Sequence, residues 1–236
     1  SSIVTDDEIN SDVDTTAATI RENKRYIVDE NTESASSYVY KLNETKTEII
    51  LLGTEQSFVL SSEITIPAYL SVPSINKNLP VTEIADNFLS SNDVVLAVKI
   101  PSTVKKLGKF SFVSCQNLKD ITIDYRNDSY TSVDGVVYSK DCSEIVLCPK
   151  YATAISSNSL TLPFSVKRVS AYAFANCTYL SEIFIPNGLL SIDEYAFYNC
   201  SSLKRVYLPN TVTSIKEGAF SLSAIESISL PESLNS

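Results

Sequence analysis

Apolar residues recur along the C-terminal part of the chain with a fixed 23-residue period. Phe174, Phe197 and Phe220 follow one another at this interval, and Cys177 and Cys200 keep the same spacing. Such self-similarity is typical of solenoids, in which each repeat forms one coil that cannot bury its apolar side alone. The period therefore predicts stacked coils whose phenylalanines, cysteines and two aliphatic columns share one continuous interior.

Each repeat contains an apolar-x-apolar step that ends at a proline. Six of the nine prolines follow this step, namely Pro67, Pro101, Pro163, Pro186, Pro209 and Pro231. The alternation predicts a strand with one buried face, and proline ends the strand because it cannot donate to a ladder. Apolar residues between Tyr195 and Leu203 have near-helical spacing, which predicts a short helical or 3₁₀ arc. Each coil should therefore contain one strand and one arc, in a β-rich or α+β solenoid.

Two departures from the period predict insertions into the array. The interval from Asp124 to Pro163 is much longer than one period, and Asp134-Gly135 lies within it. Asp-Gly between alternating residues is a strong hairpin signal, so we expect a hairpin insertion over residues 125–150, within which Lys140-Asp141 turns the chain into a third strand. A smaller excess, between Pro67 and Pro101, predicts a loop over residues 71–82.

The chain before the first repeat divides into two parts. Residues 1–33 hold nine acidic and three basic residues, which indicates a solvated acidic leader or spacer over residues 1–36. Residues 37–60 contain two alternating stretches separated by Asn43-Glu44. This pattern predicts a hairpin that caps the first coil of a solenoid over residues 37–236.

The composition excludes several kinds of site. The chain has a net charge of −9, no histidine and five glycines. Without histidine there is no Ser-His-Asp or Cys-His catalysis and no His-ligated metal, and no Gly-rich phosphate loop occurs. We therefore expect no enzymatic activity, no cofactor and no metal. The acidic balance makes nucleic acid and anionic membranes poor partners, and no apolar run is long enough to span a bilayer.

The five cysteines do not form a disulfide framework or a C-x-x-C site. Three of them occupy one repeat position, which favours small buried side chains over reactive thiols. In a secreted chain Cys142 and Cys148 could form a disulfide, and this alternative stays open. Four N-x-S/T sequons begin at Asn43, Asn127, Asn176 and Asn199. They are glycosylation sites if the chain follows a eukaryotic secretory route. The repeat favours the other interpretation, in which these asparagines are turn residues.

The copies that begin at Val169, Ile192 and Ile215 carry the pattern I-x-x-x-A-F-x-x-C-x-x-L-x-x-I-x-I-P-x-x-V almost intact. This pattern resembles the BspA-like leucine-rich repeat family of bacterial and protist surface proteins. Asp124 in place of proline and Ser223 in place of cysteine are local departures. The resemblance implies a right-handed superhelix, an extracellular or cell-surface location, and a monomer that binds a host or matrix protein.

The outward positions of successive strands supply the candidate site. On adjacent coils they place Phe184 beside Tyr207 and Glu182 beside Arg205, which Lys204 precedes. Exposed aromatic residues beside arginine are typical of binding hot spots, although they also support cross-strand packing. We predict that these five residues bind a protein ligand. The alternatives are a passive spacer module of a surface protein and an intracellular interaction scaffold.

Overall fold

The computed structural model of the protein describes residues 31–55, 61–89, 92–226 and 228–234. In this part of the chain the regular structure is almost entirely β-strand, and the helical structure is one 3₁₀ turn, Pro73–Ile75. No helix among these residues has the length and apolar composition needed to cross a membrane. The strands are β1 (Thr32–Ala35), β2 (Tyr38–Leu42), β3 (Ile49–Thr54), β4 (Glu63–Thr65), β5 (Tyr69–Val72), β6 (Lys77–Ile84), β7 (Ala97–Ile100), β8 (Lys106–Leu107), β9 (Asp120–Ile123), β10 (Tyr130–Val133), β11 (Val136–Ser139), β12 (Glu144–Leu147), β13 (Ser159–Thr161), β14 (Arg168–Val169), β15 (Glu182–Phe184), β16 (Ser191–Ile192), β17 (Arg205–Tyr207) and β18 (Ser214–Ile215).

A mixed sheet covers the N-terminal end of the coils. Its strand order is β1-β2-β3-β6-β5, and β8 also pairs with β6. Strands β2 and β3 pair as expected, and the Asn43 side-chain oxygen closes their turn by accepting the N–H groups of Thr47 and Glu48. Strand β1 belongs to this sheet although it lies inside the segment that the sequence assigned to the leader. The remainder of that leader, residues 1–30, lies outside the described residues.

The loop expected over residues 71–82 is instead part of a hairpin formed by β5 and β6. Two prolines obscured the strands in the sequence. Pro73 begins the 3₁₀ turn, where a missing N–H costs nothing. Pro80 lies inside β6 opposite Tyr69, but the neighbouring Val81 N–H is the group that donates to Ala68 O. Because alternate peptide groups point to opposite edges of a strand, Pro80 removes no hydrogen bond to β5.

Parallel ladders confirm the coil that the 23-residue period predicts. One ladder contains β4, β7 and β9, a second contains β13, β15 and β17, and a third joins β12, β14, β16 and β18. In the second ladder Leu160, Ile183 and Val206 are register partners, and all three are buried. Each coil therefore presents an equivalent apolar residue to its neighbour, at the repeat spacing of the sequence.

The phenylalanine column lies in the interior at Phe174 and Phe197, which are fully buried, and is half-buried at Phe220. The ring centroids of Phe174 and Phe197 are 4.8 Å apart, and those of Phe197 and Phe220 are 5.1 Å apart, with nearly parallel planes. The cysteine column runs beside it, and the Cys200 thiol donates to Phe174 O of the preceding coil at 3.2 Å. Both columns predicted from the repeat are confirmed for these coils.

The expected helical or 3₁₀ arc is wrong in detail, because these segments are consecutive turns. Tyr172, Tyr195 and Gly218 occupy one repeat position and all have positive φ values near 60°, which stops a right-handed helix from continuing. The Tyr172 and Tyr195 rings stack with centroids 5.3 Å apart. At Gly218 a Cβ atom would collide with the Tyr195 ring, so glycine lets this ring lie over the next coil.

The extra residues between Asp124 and Pro163 form a three-stranded insertion made of β10, β11 and β12. Asp134 and Gly135 form its first turn with φ values of 48° and 81°, as a two-residue hairpin turn requires. Strand β12 pairs antiparallel with β11 on one side and parallel with β14 on the other, so the insertion becomes part of the third ladder.

The predicted single interior is wrong, because the buried side chains form two clusters. One contains the N-terminal coils and the other contains the C-terminal coils. They meet at the insertion, where Val137 and its cross-strand partner Leu147 belong to the first cluster. Tyr138 and its partner Ile145 belong to the second, and a register shift separates the two pairs. Strands β11 and β12 therefore form a wall with an apolar cluster on each side.

All five cysteines are free thiols, so the alternative of a disulfide between Cys142 and Cys148 is not observed. Four are buried, and Cys142 alone is half-buried. Burial raises the pKa of Cys115 to about 12 and raises the pKa values of Cys148 and Cys200 well above their ordinary values. A buried thiol with a high pKa reacts slowly because little thiolate is present.

Iodoacetamide at about pH 8 should therefore alkylate Cys142 of the native protein and leave the buried thiols unmodified. Peptide mass spectrometry measures the modification at each site. The unfolded protein is the control and should react at all five positions. Rapid alkylation of Cys177 or Cys200 in the native protein would contradict the buried cysteine column.

Candidate functional site

The candidate residues lie on the outer face of the ladder formed by β13, β15 and β17. Phe184 in β15 lies between Thr161 and Tyr207 in the neighbouring strands. Two residues earlier, Glu182 is the register partner of Arg205. Alternation places these side chains outward because Ile183 and Val206, which separate them, are buried.

The two aromatic rings form an exposed pair. Their centroids are 6.4 Å apart with planes inclined by 17°, and 44% of Phe184 and 59% of Tyr207 are accessible to solvent. This stacking contributes to cross-strand packing, which is the alternative to a binding role that the sequence left open. More than half of the tyrosine nevertheless stays available to a partner.

An ion pair lies beside the aromatic pair. Arg205 Nε donates to Glu182 Oε1 at 2.7 Å, and this contact raises the pKa of Arg205 above its ordinary value. Lys204 precedes β17 and is exposed, and within the described residues it forms no ion pair. We call the surface formed by Glu182, Phe184, Lys204, Arg205 and Tyr207 the aromatic strip. The structure places four of the five predicted residues on the outward positions of paired strands, and Lys204 is the exposed neighbour of Arg205 in the sequence.

The corresponding face of the first ladder is different. Thr65, Lys99 and Thr122 occupy the row equivalent to the aromatic pair. Lys99 is paired with Glu63 at 2.7 Å. Among the ladder strands that the structure describes, those of the first ladder thus carry polar side chains in this row, and the aromatic side chains are confined to the second ladder.

A groove that sequence reasoning missed lies where the two ladders should join. Its volume is about 370 Å³, and we call it the β13 groove. The sequence signal was the long interval between Asp124 and Pro163, which located the insertion but not the gap beside it. The residues that line it include Val133, Asp134, Ala154, Ser159, Thr161 and Pro163.

A second cleft, of about 620 Å³, lies on the outer face of the third ladder. Its charges are paired across successive coils. Arg168 contacts Glu144 at 2.7 Å and Asp193 at 3.6 Å, and Lys216 contacts Asp193 at 3.0 Å and Glu194 at 3.3 Å. The acidic partners raise the pKa values of Arg168 and Lys216. These pairs hold neighbouring coils together and leave the cleft without a dominant charge.

A metal centre has no support in the described part of the chain. No group of three or more Cys, Asp or Glu side chains there has a geometry that could hold a metal ion. The recurring unit is a strand and a series of turns, repeated along the chain.

The model of the BspA type leucine rich repeat region matches residues 68–158 and 150–236, with six copies. The chain belongs to this family. Solenoids of stacked repeats are generally binding scaffolds that present an extended surface to a partner. Comparison with curated proteins found no match.

Solved structures similar to the chain include a vaccine antigen and several proteins named as leucine-rich repeat proteins. The pneumococcal vaccine antigen PcpA is 17% identical, with a TM-score of 0.44, over 77% of this chain and 71% of that one. A leucine-rich repeat protein from Bacteroides ovatus is 21% identical, with a TM-score of 0.45, over 86% of this chain and 60% of that one. The T. pallidum leucine rich repeat protein is 22% identical, with a TM-score of 0.37, over 80% of this chain and 66% of that one.

Proposed function

We propose that the protein is a non-catalytic, monomeric protein of the cell surface or the extracellular space that binds another protein through the aromatic strip. The observation that carries the proposal is the exposed stack of Phe184 and Tyr207 beside the Glu182–Arg205 ion pair. Tyrosine and arginine are enriched in the residues that dominate binding energy at interfaces. A host or matrix protein is the kind of partner that the family resemblance implies.

The strip is suited to binding because its side chains are already ordered. Phe184 and Tyr207 lie on adjacent hydrogen-bonded strands and stack on each other. The carboxylate of Glu182 holds Arg205 at one position. Association therefore costs less side-chain entropy than it would on a flexible loop. An acidic or amide-rich partner surface would complement Arg205 and Lys204, and aromatic or aliphatic groups would cover the rings.

The double substitution Phe184→Ser and Tyr207→Ser should weaken binding to a matrix protein by at least about tenfold, because it removes both aromatic anchors. The probes are purified type I collagen, laminin and vitronectin, each immobilised separately for surface plasmon resonance. Both side chains are exposed, so the thermal midpoint of the variant should stay close to that of the original protein.

The substitution Tyr125→Ser supplies the matched control. Tyr125 is also an exposed aromatic residue, but it lies after β9, outside the aromatic strip. This control should bind as the original protein does. Equal binding by the double variant would remove the aromatic strip as the site. Absence of binding to every probe would favour the passive spacer or the intracellular scaffold.

A further inference from the structure

The first ladder (β4, β7 and β9) and the second ladder (β13, β15 and β17) end differently where they face each other. The edge of β9 is closed by the insertion, since Ile121 N–H donates to Gly135 O at 3.3 Å and Ile123 N–H donates to Ser132 Oγ at 2.9 Å. A sheet edge closed in this way offers no N–H row to another strand. The edge of β13 on the other side of the gap is closed along only part of its length.

The hydrogen bonds of β13 show which peptide groups face the gap. Glu182 N–H donates to Asn158 O, and Leu162 N–H donates to Phe184 O. Because alternate peptide groups point to opposite edges, residues 158, 160 and 162 face β15. The N–H and C=O of Ser159 and Thr161 therefore face the opposite edge, where the β13 groove lies.

A short hairpin satisfies Ser159 but not Thr161. Ser159 and Ser156 exchange two backbone hydrogen bonds, of 2.9 and 3.0 Å, across a tight turn. Continued pairing would place Ala154 opposite Thr161. Instead, the Ala154 N–H donates to Asp134 O at 3.0 Å, which draws that segment away from β13. The two segments separate there, and Ala154 and Thr161 lie on the walls of the resulting groove.

We propose that the β13 edge binds an extended segment of a partner protein by strand addition, with Thr161 N–H and C=O as the hydrogen-bonding groups. This inference rests on the protein-binding function proposed above and specifies how the partner is held. Strand addition at an open sheet edge is a general mode of peptide recognition, in which main-chain bonds supply affinity and neighbouring pockets select side chains. The segment would occupy the gap between the two ladders.

The walls of the β13 groove define the chemistry of the bound segment. Val133, Ala154 and Pro163 supply apolar surface, and 51% of Val133 is exposed. Asp134 adds a carboxylate that forms no ion pair within the described residues. A segment with alternating aliphatic and basic residues therefore fits, since its aliphatic side chains would contact the apolar walls and a lysine would lie near Asp134.

Amide hydrogen exchange of the free protein tests the open edge directly. By NMR, the Thr161 amide should exchange at least about tenfold faster than those of Leu160 and Leu162, which face β15 or bond to it. Equal protection of all three amides would overturn the proposal. The original protein is used without substitution, so loss of folding cannot explain either outcome.

Titration with acetyl-Lys-Val-Thr-Val-Lys-amide tests binding. We expect the Thr161 amide resonance to shift and its exchange to slow by about tenfold, with a dissociation constant on the order of 1 mM. The same peptide methylated at every backbone nitrogen is the control and should cause a much smaller shift, because it cannot donate to Thr161 O and its N-methyl groups obstruct close approach to the edge. Equal shifts with both peptides, or no shift with either up to several times that concentration, would contradict strand addition.

Three protein variants separate the main-chain bonds from the charge. Thr161→Pro removes the N–H that faces the groove and no bond to β15, so it should abolish the shift of neighbouring resonances, whereas Thr161→Val keeps the N–H and should bind normally. Asp134→Asn keeps a residue that tolerates positive φ and should weaken binding of the lysine peptide about threefold. Unchanged binding by a folded Thr161→Pro variant would overturn the proposal.

Failure of this inference can be distinguished from failure of the proposed function. The Phe184→Ser and Tyr207→Ser variant keeps Thr161 and should still bind the peptide at the β13 edge. Loss of matrix-protein binding in that variant, with no peptide effect at Thr161 in the original protein, would retain the aromatic strip and reject strand addition. A Thr161-dependent peptide effect without matrix-protein binding would reject the proposed function and retain the open edge.

Discussion

Phe197→Ala should lower the free energy of unfolding by about 3–5 kcal/mol. Phe197 is fully buried between the parallel rings of Phe174 and Phe220. Alanine would lose these contacts on both sides and leave a cavity that spans three coils. Hydrogen-bonded ladders on either side of the column fix the spacing of these coils, so the cavity cannot close by local collapse. Equilibrium unfolding in urea measures the loss.

Phe164→Ala is the matched control for this substitution. Phe164 is 83% exposed and lies just after β13, so its removal should change stability by less than about 0.5 kcal/mol. Both variants replace phenylalanine by alanine, so the difference between their stabilities measures the effect of burial. A decrease of less than about 1 kcal/mol in the free energy of unfolding of Phe197→Ala would show that the phenylalanine column does not stabilise the C-terminal core.

Asn127→Ala should cost about 3 kcal/mol of stability, because it leaves four buried or partly buried backbone groups without their side-chain partner. Asn127 is fully buried and connects two coils. Its side-chain nitrogen donates to Pro101 O at 3.0 Å and to Val104 O at 2.8 Å. Its side-chain oxygen accepts the N–H groups of Ser129 and Tyr130. Urea unfolding again measures the effect.

Asn43→Ala provides the control for Asn127→Ala. Asn43 also begins a sequon and also accepts two backbone N–H groups, but its hydrogen bonds lie near the surface. Water replaces such bonds, so the expected cost is below about 1 kcal/mol. Similar losses at both positions would show that burial of Asn127 is not the source of its effect. Because Asn127 lies in the interior, the asparagine of this sequon is a structural turn residue in the folded protein.

The periodic part of the fold could be predicted from sequence because one spacing fixes many contacts at once. A 23-residue shift relates Leu160, Ile183 and Val206, and the structure pairs them in that register. The Asp134-Gly135 turn was also predictable, since few residues accept two consecutive positive φ values. Local chemistry and the repeat point to the same structure at these positions.

The errors occur where tertiary context overrides a local signal. Pro73 and Pro80 indicated a loop, yet the structure forms a hairpin that tolerates both. Near-helical apolar spacing around Tyr195 indicated an arc of helix, but its positive φ value produces a turn. The aromatic strip followed from the register of the repeat. The β13 groove did not, because the spacing of residues gives the length of an insertion and not the side to which its backbone turns.

The wall formed by β11 and β12 has a consequence for how the chain tolerates change. Val137 and Leu147 face one cluster, whereas Tyr138 and Ile145 face the other, so the wall separates two sets of packed side chains. A substitution inside one cluster therefore disturbs mainly the packing of that cluster, and outside the wall the rings of Phe110 and Tyr172 still connect the two sides, with centroids 4.3 Å apart. The insertion thus limits how far the repacking caused by a core substitution spreads along the solenoid.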